Sequence, residues 1–232
     1  MIERSRSMKT QEFIDCKTCL PRQYSLFCDL KNTELNYLNK YKLTKTYKKH
    51  EILFREGEKP QYLFCCFSGL VKIYKSMKSG REQVVRLSHG GDLIGYRAFF
   101  SGESYSASSE CVSESTVCSL SREGFNELVK NSPHVAMDFL KKISIELREA
   151  EEKFSDLIEK TVEERLAYFL ALFMKRSHAH CFELPLSREE IASLIGARPE
   201  TVIRVFSSWR KMGYLEVKAK SIKVLDSSFL QH

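Results

Sequence analysis

Several features that would place this chain in other protein classes are missing from it. No stretch approaches the roughly 20 consecutive apolar residues that a membrane-spanning helix requires. The opening MIERSRSMKTQEFIDC contains nothing like the apolar core of about 7–15 residues in a secretory signal. The expectation is therefore a cytoplasmic chain with no membrane partner. Catalytic signatures are missing as well: there is no P-loop, no G-x-S-x-G elbow and no H-E-x-x-H helix. Cys16-x-x-Cys19 could suggest thiol exchange, but it lacks the βαβ context of the redox enzymes that use such a pair. The sequence does not read as an enzyme. Nor does it lack apolar residues: 43% are hydrophobic and 29% charged, which excludes disorder along the whole chain.

What is present is mildly basic. Lys and Arg number 37 against 30 Asp and Glu, a formal charge of +7 over 232 residues. The excess is uneven. YKLTKTYKK from Tyr41 to Lys49 carries four Lys and no acid, and more basic residues gather from Lys175 to His180 and from Trp209 to Lys223. Glu146 to Glu164 is acid-rich by contrast. Such a distribution favours an anionic partner without naming it. Eight cysteines stand at 16, 19, 28, 65, 66, 111, 118 and 181. In an intracellular chain they do not make a disulfide framework.

Residues 1–29 read as a polar, cysteine-bearing arm with a turn at Pro21, and a short helix with Leu35, Leu38 and Tyr41 follows. From Tyr47 to about Leu120 short β-rich runs recur: EILF, QYLFCCF, GLVKIYKS, EQVVRLS, DLIGY and STVCSL. Glycines punctuate them, which predicts a compact antiparallel roll over 30–132. After Pro133, Leu140, Ile143, Leu147, Ala150, Phe154 and Leu157 alternate spacings of three and four. That seam predicts a long helix over 133–160, pairing with a second copy to form a homodimer. No charge interrupts the seam, so the dimer is expected to persist without a signal.

The segment 161–232 holds the most specific pattern. Ser187 and Glu190 form a capping box that opens a helix, Gly196 breaks it, and Pro199 starts a second helix that Gly213 stops. Helix, tight turn, helix is the helix-turn-helix arrangement. YLEV and SIKVLD then read as two strands around Lys218 and Lys220, a basic wing. HAHC, with His178, His180 and Cys181, reads as a solvated loop. On the second helix Val202, Val205, Phe206 and Trp209 share the inward side; Glu200, Ile203, Arg204 and Ser207 share the other. In a major groove Glu200 can accept from a cytosine amino group while Arg204 donates two bonds to a guanine. The bland alternative is an exposed i,i+4 ion pair.

The P-E-T-V-I-R run from Pro199 to Arg204 and the S-R-E-E-I-A-S-L-I-G run from Ser187 to Gly196 carry a resemblance. Gly57, Ser68-Gly69, GGDLIG from Gly90 to Gly95 and V-E-E-R-L-A from Val162 to Ala167 add to it. Nearly the whole chain resembles the Crp/Fnr family of bacterial transcription regulators. The resemblance implies an α+β protein: an N-terminal antiparallel β-roll (a double-stranded β-helix like cyclic-nucleotide-binding domains), a long dimerisation helix and a C-terminal winged helix-turn-helix. It implies binding to double-stranded DNA as a homodimer on a palindrome with TGA-like half-sites, and RNA polymerase as a partner through the family alone. Glu200 and Arg204 match the base-reading pair; Thr201, Ile203, Ser207 and Arg198 accompany them in the expected DNA-binding set, with Lys218 and Lys220. Pro199 and Ile203 depart from the residues that Crp and Fnr carry there.

For the signal, cAMP-binding members resemble one another in a Glu after the Gly of the Gly-x-Leu turn and an Arg before Ser-Ala. Here Tyr96 and Tyr105 stand in those places, so cAMP in the usual mode is not expected; Tyr96, Arg97, Tyr105 and Ser106 remain the residues that would line a ligand pocket. Cys16, Cys19, Cys28 and the distant Cys118 resemble the ligands of Fnr, which holds an oxygen-labile four-iron, four-sulfur ([4Fe-4S]) cluster, although the gap before Cys28 is longer here. Cys111 is a rival for the fourth place. Three readings stay open: such a cluster, sensitive to oxygen or nitric oxide; a structural zinc site; or no metal, with control through another ligand or thiol redox state.

Overall fold

The computed structural model describes residues 14–177 and 179–230. Chain contacts divide it into two compact units, one of Met1–Ile73 with Leu87–Ile143 and the other of Tyr74–Arg86 with Ser144–His232.

The first unit begins with a 3-10 turn at Leu20–Tyr24 and helix α1 (Asn32–Tyr41). In chain order the strands are β1 (Lys42–Tyr47), β2 (Ile52–Phe54), β3 (Tyr62–Ser68), β4 (Val71–Ser76), β5 (Glu82–Ser88) and β6 (Leu93–Ile94), of which the end of β4 and most of β5 fall within the Tyr74–Arg86 piece of the second unit. A short helix α2 (Tyr96–Ser101) precedes β7 (Ser108–Cys111), β8 (Ser115–Ser121) and helix α3 (Arg122–Asn131). The strands form two four-stranded sheets, ordered β1-β8-β3-β6 and β2-β7-β4-β5. This is the antiparallel roll.

Alternation along β3 sorts its side chains between two cores, because successive residues of a strand point to opposite faces. Phe64 and Cys66 join Phe54, Val71, Ile94, Tyr105, Cys111 and Val117 in one cluster. Leu63 joins Leu35, Leu38, Leu93, Leu120, Phe125 and Leu128 in the other, with Cys65 and Cys16 packed against its edge. Helix α4 (His134–Glu159) sends Val135 and Phe139 into this second cluster, where Phe139 meets Tyr96 edge-on at 5.8 Å.

In the second unit, the remainder of α4 leads to α5 (Val162–Ser177), β9 (Cys181–Glu183), α6 (Arg188–Ile195), α7 (Pro199–Lys211), β10 (Leu215–Lys218) and β11 (Ser221–Val224). The three strands make a sheet ordered β10-β11-β9. Leu166 and Leu170 of α5, Ile191 of α6 and Val202, Phe206 and Trp209 of α7 are fully or nearly fully buried. The Trp209 indole donates to Glu163 Oε1 at 2.7 Å. The HAHC segment differs from the expected loop: Cys181 opens β9 and pairs with Lys223, while His178 lies outside the described residues. Among the described residues no helix is long and apolar enough to cross a membrane.

Candidate functional site

Two places bring together the residues singled out by the sequence. The first is the outer face of α7. At α6 the capping box closes as expected: Ser187 Oγ accepts the Glu190 N–H at 3.1 Å, and Glu190 Oε2 accepts the Ser187 N–H at 2.8 Å. Gly196 ends α6 at φ 66, ψ 47, a left-handed conformation that most side chains resist. A Cβ there would stand 2.5 Å from Leu157 Cδ2, so the tight turn is packed directly against α4. Arg165 of α5 ties the same corner, donating from Nε to Ile195 O at 2.8 Å and from Nη2 to Gly196 O at 3.3 Å.

Pro199 in the first turn starts α7, and burying Val202, Phe206 and Trp209 turns the opposite side outward. Glu200, Ile203, Arg204 and Ser207 are all exposed there, with Arg198 exposed just before the helix and Thr201 half-buried. Ile203, an apolar residue, is 49% exposed. Among the described residues neither Glu200 nor Arg204 has an ion-pair partner, so the i,i+4 pair is not formed. β10 and β11 join through Ala219 and Lys220, with Ala219 at φ 52, leaving Lys218 and Lys220 exposed at the wing tip.

The expected seam on α4 is exposed: Leu140, Leu147 and Phe154 are 58%, 59% and 66% accessible, and Ile143 and Leu157 also stay open. Ala150 is exposed between them. Leu157 has the additional contact with the Gly196 turn, which periodicity could not reveal.

The second place is a cavity of about 50 Å³ in the first unit. Cys16, Cys19, Pro21 and Arg22 of the arm contribute to its lining, and Cys65, Cys118, Leu63 and Leu120 of the sheet line it too. Cys118 lies opposite Cys65 in the β3–β8 ladder and opposite Thr44 of β1, whose hydroxyl is 3.6 Å from its sulfur. Desolvation raises the Cys65 thiol well above the ordinary range, and Cys118, Cys66, Cys19 and Cys16 reinforce the effect. Burial also raises Cys16 and Cys19, with Lys42 pulling both back. Arg22 Nε is buried there without a hydrogen-bond acceptor.

Cys28 does not line this cavity; it is exposed, and its carbonyl accepts from Arg22 Nη1 at 2.5 Å. The resemblance to Fnr selected Cys28 and passed over Cys65, because the cross-strand register that places Cys65 beside Cys118 is a long-range property. Cys111, the rival, is fully buried in the other cluster. Among the described residues no three His, Cys, Asp or Glu side chains are arranged to hold a single metal ion.

The four residues of the expected ligand pocket are dispersed. Tyr96 packs in one core cluster and Tyr105 in the other, while Arg97 and Ser106 face solvent. Tyr105 stacks on Phe54 at 3.7 Å between centroids, and its ring lies 3.0 Å from where a Cβ on Gly95 would stand. These rings fill the space beside the Gly95 turn.

Comparison with known proteins agrees with this architecture. Residues 44–132 match the model of a cyclic nucleotide-binding domain, and residues 164–232 that of a Crp-like helix-turn-helix domain. The chain is 30% identical over 229 residues to the transcriptional activator protein FnrA of Stutzerimonas stutzeri, covering 96% of this chain and 93% of that one. It is 30% identical over 218 residues to the transcriptional activator protein Anr of Pseudomonas aeruginosa, covering 91% and 89%. Among solved structures, FixK2 from Bradyrhizobium japonicum superposes with a TM-score of 0.73 at 29% identity, over 81% of this chain and 94% of that one. With a roll of the cyclic nucleotide-binding type, a helix-turn-helix closed by its capping box and a relative matched almost end to end, this chain belongs to the Crp/Fnr family of transcription regulators.

Proposed function

We propose that the chain is a homodimeric regulator that reads a palindrome with TGA-like half-sites through α7, under the control of an iron–sulfur cluster bound by thiols of the sensor cavity. The observation that carries the DNA reading is the face of α7 on which Glu200 and Arg204 stand exposed, without ion-pair partners among the described residues, backed by a buried Val202, Phe206 and Trp209. Glu200 accepts from a cytosine amino group, Arg204 bridges O6 and N7 of a guanine, and Ile203 meets a thymine methyl. Arg198, Thr201 and Ser207 flank these readers at the groove, and Lys218 and Lys220 of the wing take backbone phosphates. Two readers on a two-fold axis face two half-sites. The exposed seam of Leu140, Ile143, Leu147, Ala150, Phe154 and Leu157 supports that pairing, since helices seldom leave such a stripe to water. RNA polymerase enters as a partner through the family alone.

The cavity fits a thiolate-bound cluster by its donor chemistry. Soft thiolates suit iron–sulfur centres, and N–H groups that donate to cluster sulfurs tune them; Arg22 Nε, buried at the cavity with no acceptor among the described residues, is available for that role. One zinc would need its four sulfurs within about 4 Å of one another, and no such tight group is preformed among the described residues. When bound, the cluster supplies a group reactive toward oxygen and nitric oxide. The stacked Tyr105 and Phe54 speak against a nucleotide as the signal, because the rings occupy the space beside the turn.

Binding to a TGA-containing palindrome, measured across a salt series, tests the DNA reading. Arg204→Ala is expected to lose about 1–3 kcal/mol, roughly 5- to 150-fold, and to relax preference at one base pair. Lys220→Ala should weaken all sequences alike and flatten the salt slope by about one. Unchanged sequence preference in Arg204→Ala would refute the assignment.

A further inference from the structure

The thiols that converge on the cavity differ from the set implied by the resemblance to Fnr, and the difference has a chemical consequence. We propose that Cys65, not Cys28, is the fourth ligand, completing a four-thiolate set with Cys16, Cys19 and Cys118. This rests on the cluster reading above and deepens it by naming the residue that closes the site.

Geometry carries the assignment. Cys65 and Cys118 are direct partners in the antiparallel β3–β8 ladder. Directly opposed residues project to the same face, with Cβ atoms about 4.5–5.5 Å apart. The next pair of the same phase, Leu63 with Leu120, lines the same cavity. The two sheet thiols therefore come from rigid, adjacent strands, as a preorganised site requires. The arm lays Cys16 and Cys19 over them, and Cys16 packs at the edge of the same core as Cys65. Cys16 is itself anchored from the helix side, its N–H donating to Asn39 Oδ1 at 2.9 Å.

Cys28 is held elsewhere. Its N–H donates to Ser25 O at 3.2 Å and its carbonyl accepts from Arg22 Nη1, which fixes its backbone in the turn that follows Pro21, and its side chain is exposed outside the cavity lining. Cys66 also borders the cavity, so the comparison within the strand rests on where its sulfur goes. It follows Cys65 directly but points to the opposite face, where its thiol donates to Ser68 O at 3.5 Å within the other core cluster. Ligation by Cys65 but not Cys66 is thus a statement about strand phase, not about a cysteine-rich neighbourhood. Four thiolates also bring negative charge, and Lys42 and Arg22 line the same cavity to offset it.

The test uses the full-length chain, reconstituted without oxygen from ferrous iron and sulfide, as wild type and as Cys28→Ala, Cys65→Ala, Cys65→Ser and Cys66→Ala. Iron and acid-labile sulfide per chain, the visible absorption and the electron paramagnetic resonance spectrum after reduction are read, with circular dichroism to check folding. Wild type, Cys28→Ala and Cys66→Ala are expected to hold about four irons with matching sulfide. Cys65→Ala is expected to lose that loading while keeping wild-type circular dichroism. Cys65→Ser, which offers oxygen in place of sulfur, should hold iron with a displaced resonance spectrum, a signature that loss of packing does not produce; it decides the matter if Cys65→Ala does not fold. Full loading and an unchanged spectrum in the Cys65 variants, or loss of the cluster in Cys28→Ala, would overturn the ligand assignment while leaving the cluster reading intact. A wild-type chain that takes up neither iron nor sulfide would remove both.

Discussion

Gly196 offers a quantitative check on how the reading head is built. Replacing it with alanine adds one carbon at a left-handed position, φ 66 and ψ 47, 2.5 Å from Leu157 Cδ2. Two penalties follow. A non-glycine residue in the left-handed region costs about 1–2 kcal/mol. Forcing a methyl against a neighbouring side chain costs about 1–3 kcal/mol more, toward the lower end when the neighbour can rotate, as a leucine tip can. Gly196→Ala should therefore lose about 2–4 kcal/mol. In a Leu157→Ala background only the backbone penalty remains, about 1–2 kcal/mol. The double-mutant cycle should show a coupling near 1–2 kcal/mol, well above the roughly 0.3–0.5 kcal/mol scatter of independent sites. Urea unfolding of the full chain, followed by the fluorescence of Trp209, reads this locally, since it is the one tryptophan and lies buried in α7. Equal losses in the two backgrounds would refute the claim that Leu157 packs on this turn. The cycle also cancels any effect of Leu157→Ala on association, provided protein concentration is held fixed.

Two other perturbations separate local features of the two units. Glu163→Ala removes the acceptor of the Trp209 indole N–H and should cost about 1–2 kcal/mol in the same fluorescence-detected unfolding, with Glu163→Gln recovering most of it; no difference between the variants would sink the hydrogen bond's role. In the metal-free chain, burial pushes the Cys111 thiol from 9.0 up to about 11. Between those values the folded state keeps a proton that the unfolded state has lost, so stability falls as pH rises, by about 1.4 kcal/mol per pH unit from this thiol, and it does not change on this account below about pH 8. Urea midpoints at pH 8, 9 and 10 check the slope, and Cys111→Ala should make it shallower; an identical slope in that variant would show the thiol titrates alike in both states.

The parts of the molecule that could be read from the chain are those whose causes are local. The capping box of Ser187 and Glu190, the left-handed stop at Gly196 and the two-sided pattern of α7 all depend on residues within a turn or two of one another, and the structure contains all three. The elements that escaped depend on distant partners. β1 read as a basic run because only Thr44 of KLTKTY is buried, and nothing nearby announces that β8 lies beside it. β7 is nearly all polar, SSEC, and belongs to a sheet by lying between β2 and β4, both distant in sequence. α3 did leave a local trace, since Ser121 Oγ accepts the Gly124 N–H at 3.1 Å as an N-cap, but the polar start of that helix concealed it ahead of the clearer pattern after Pro133.

The cysteines show the same division with a functional consequence. The resemblance to Fnr grouped Cys16, Cys19 and Cys28 with the distant Cys118, and no pattern in the sequence pointed to Cys65. The fold applies its own metric, the phase of β3. A strand has a side-chain period of two, so sliding β3 by one residue against β8 would exchange Cys65 for Cys66 on the face beneath the arm and carry Leu63 and Leu120 out of phase with them. The irregularity in this ladder falls between Cys66 and Ser68, past the Cys65–Cys118 pair, so that pair keeps its regular register. The core itself enforces this phase, since Leu63 and Phe64 each fill a different buried cluster and neither could be moved to the other face without vacating both. Hydrophobic packing thus determines which sulfur faces the arm, and the thiols that line the cavity are set by the same residues that hold the roll together.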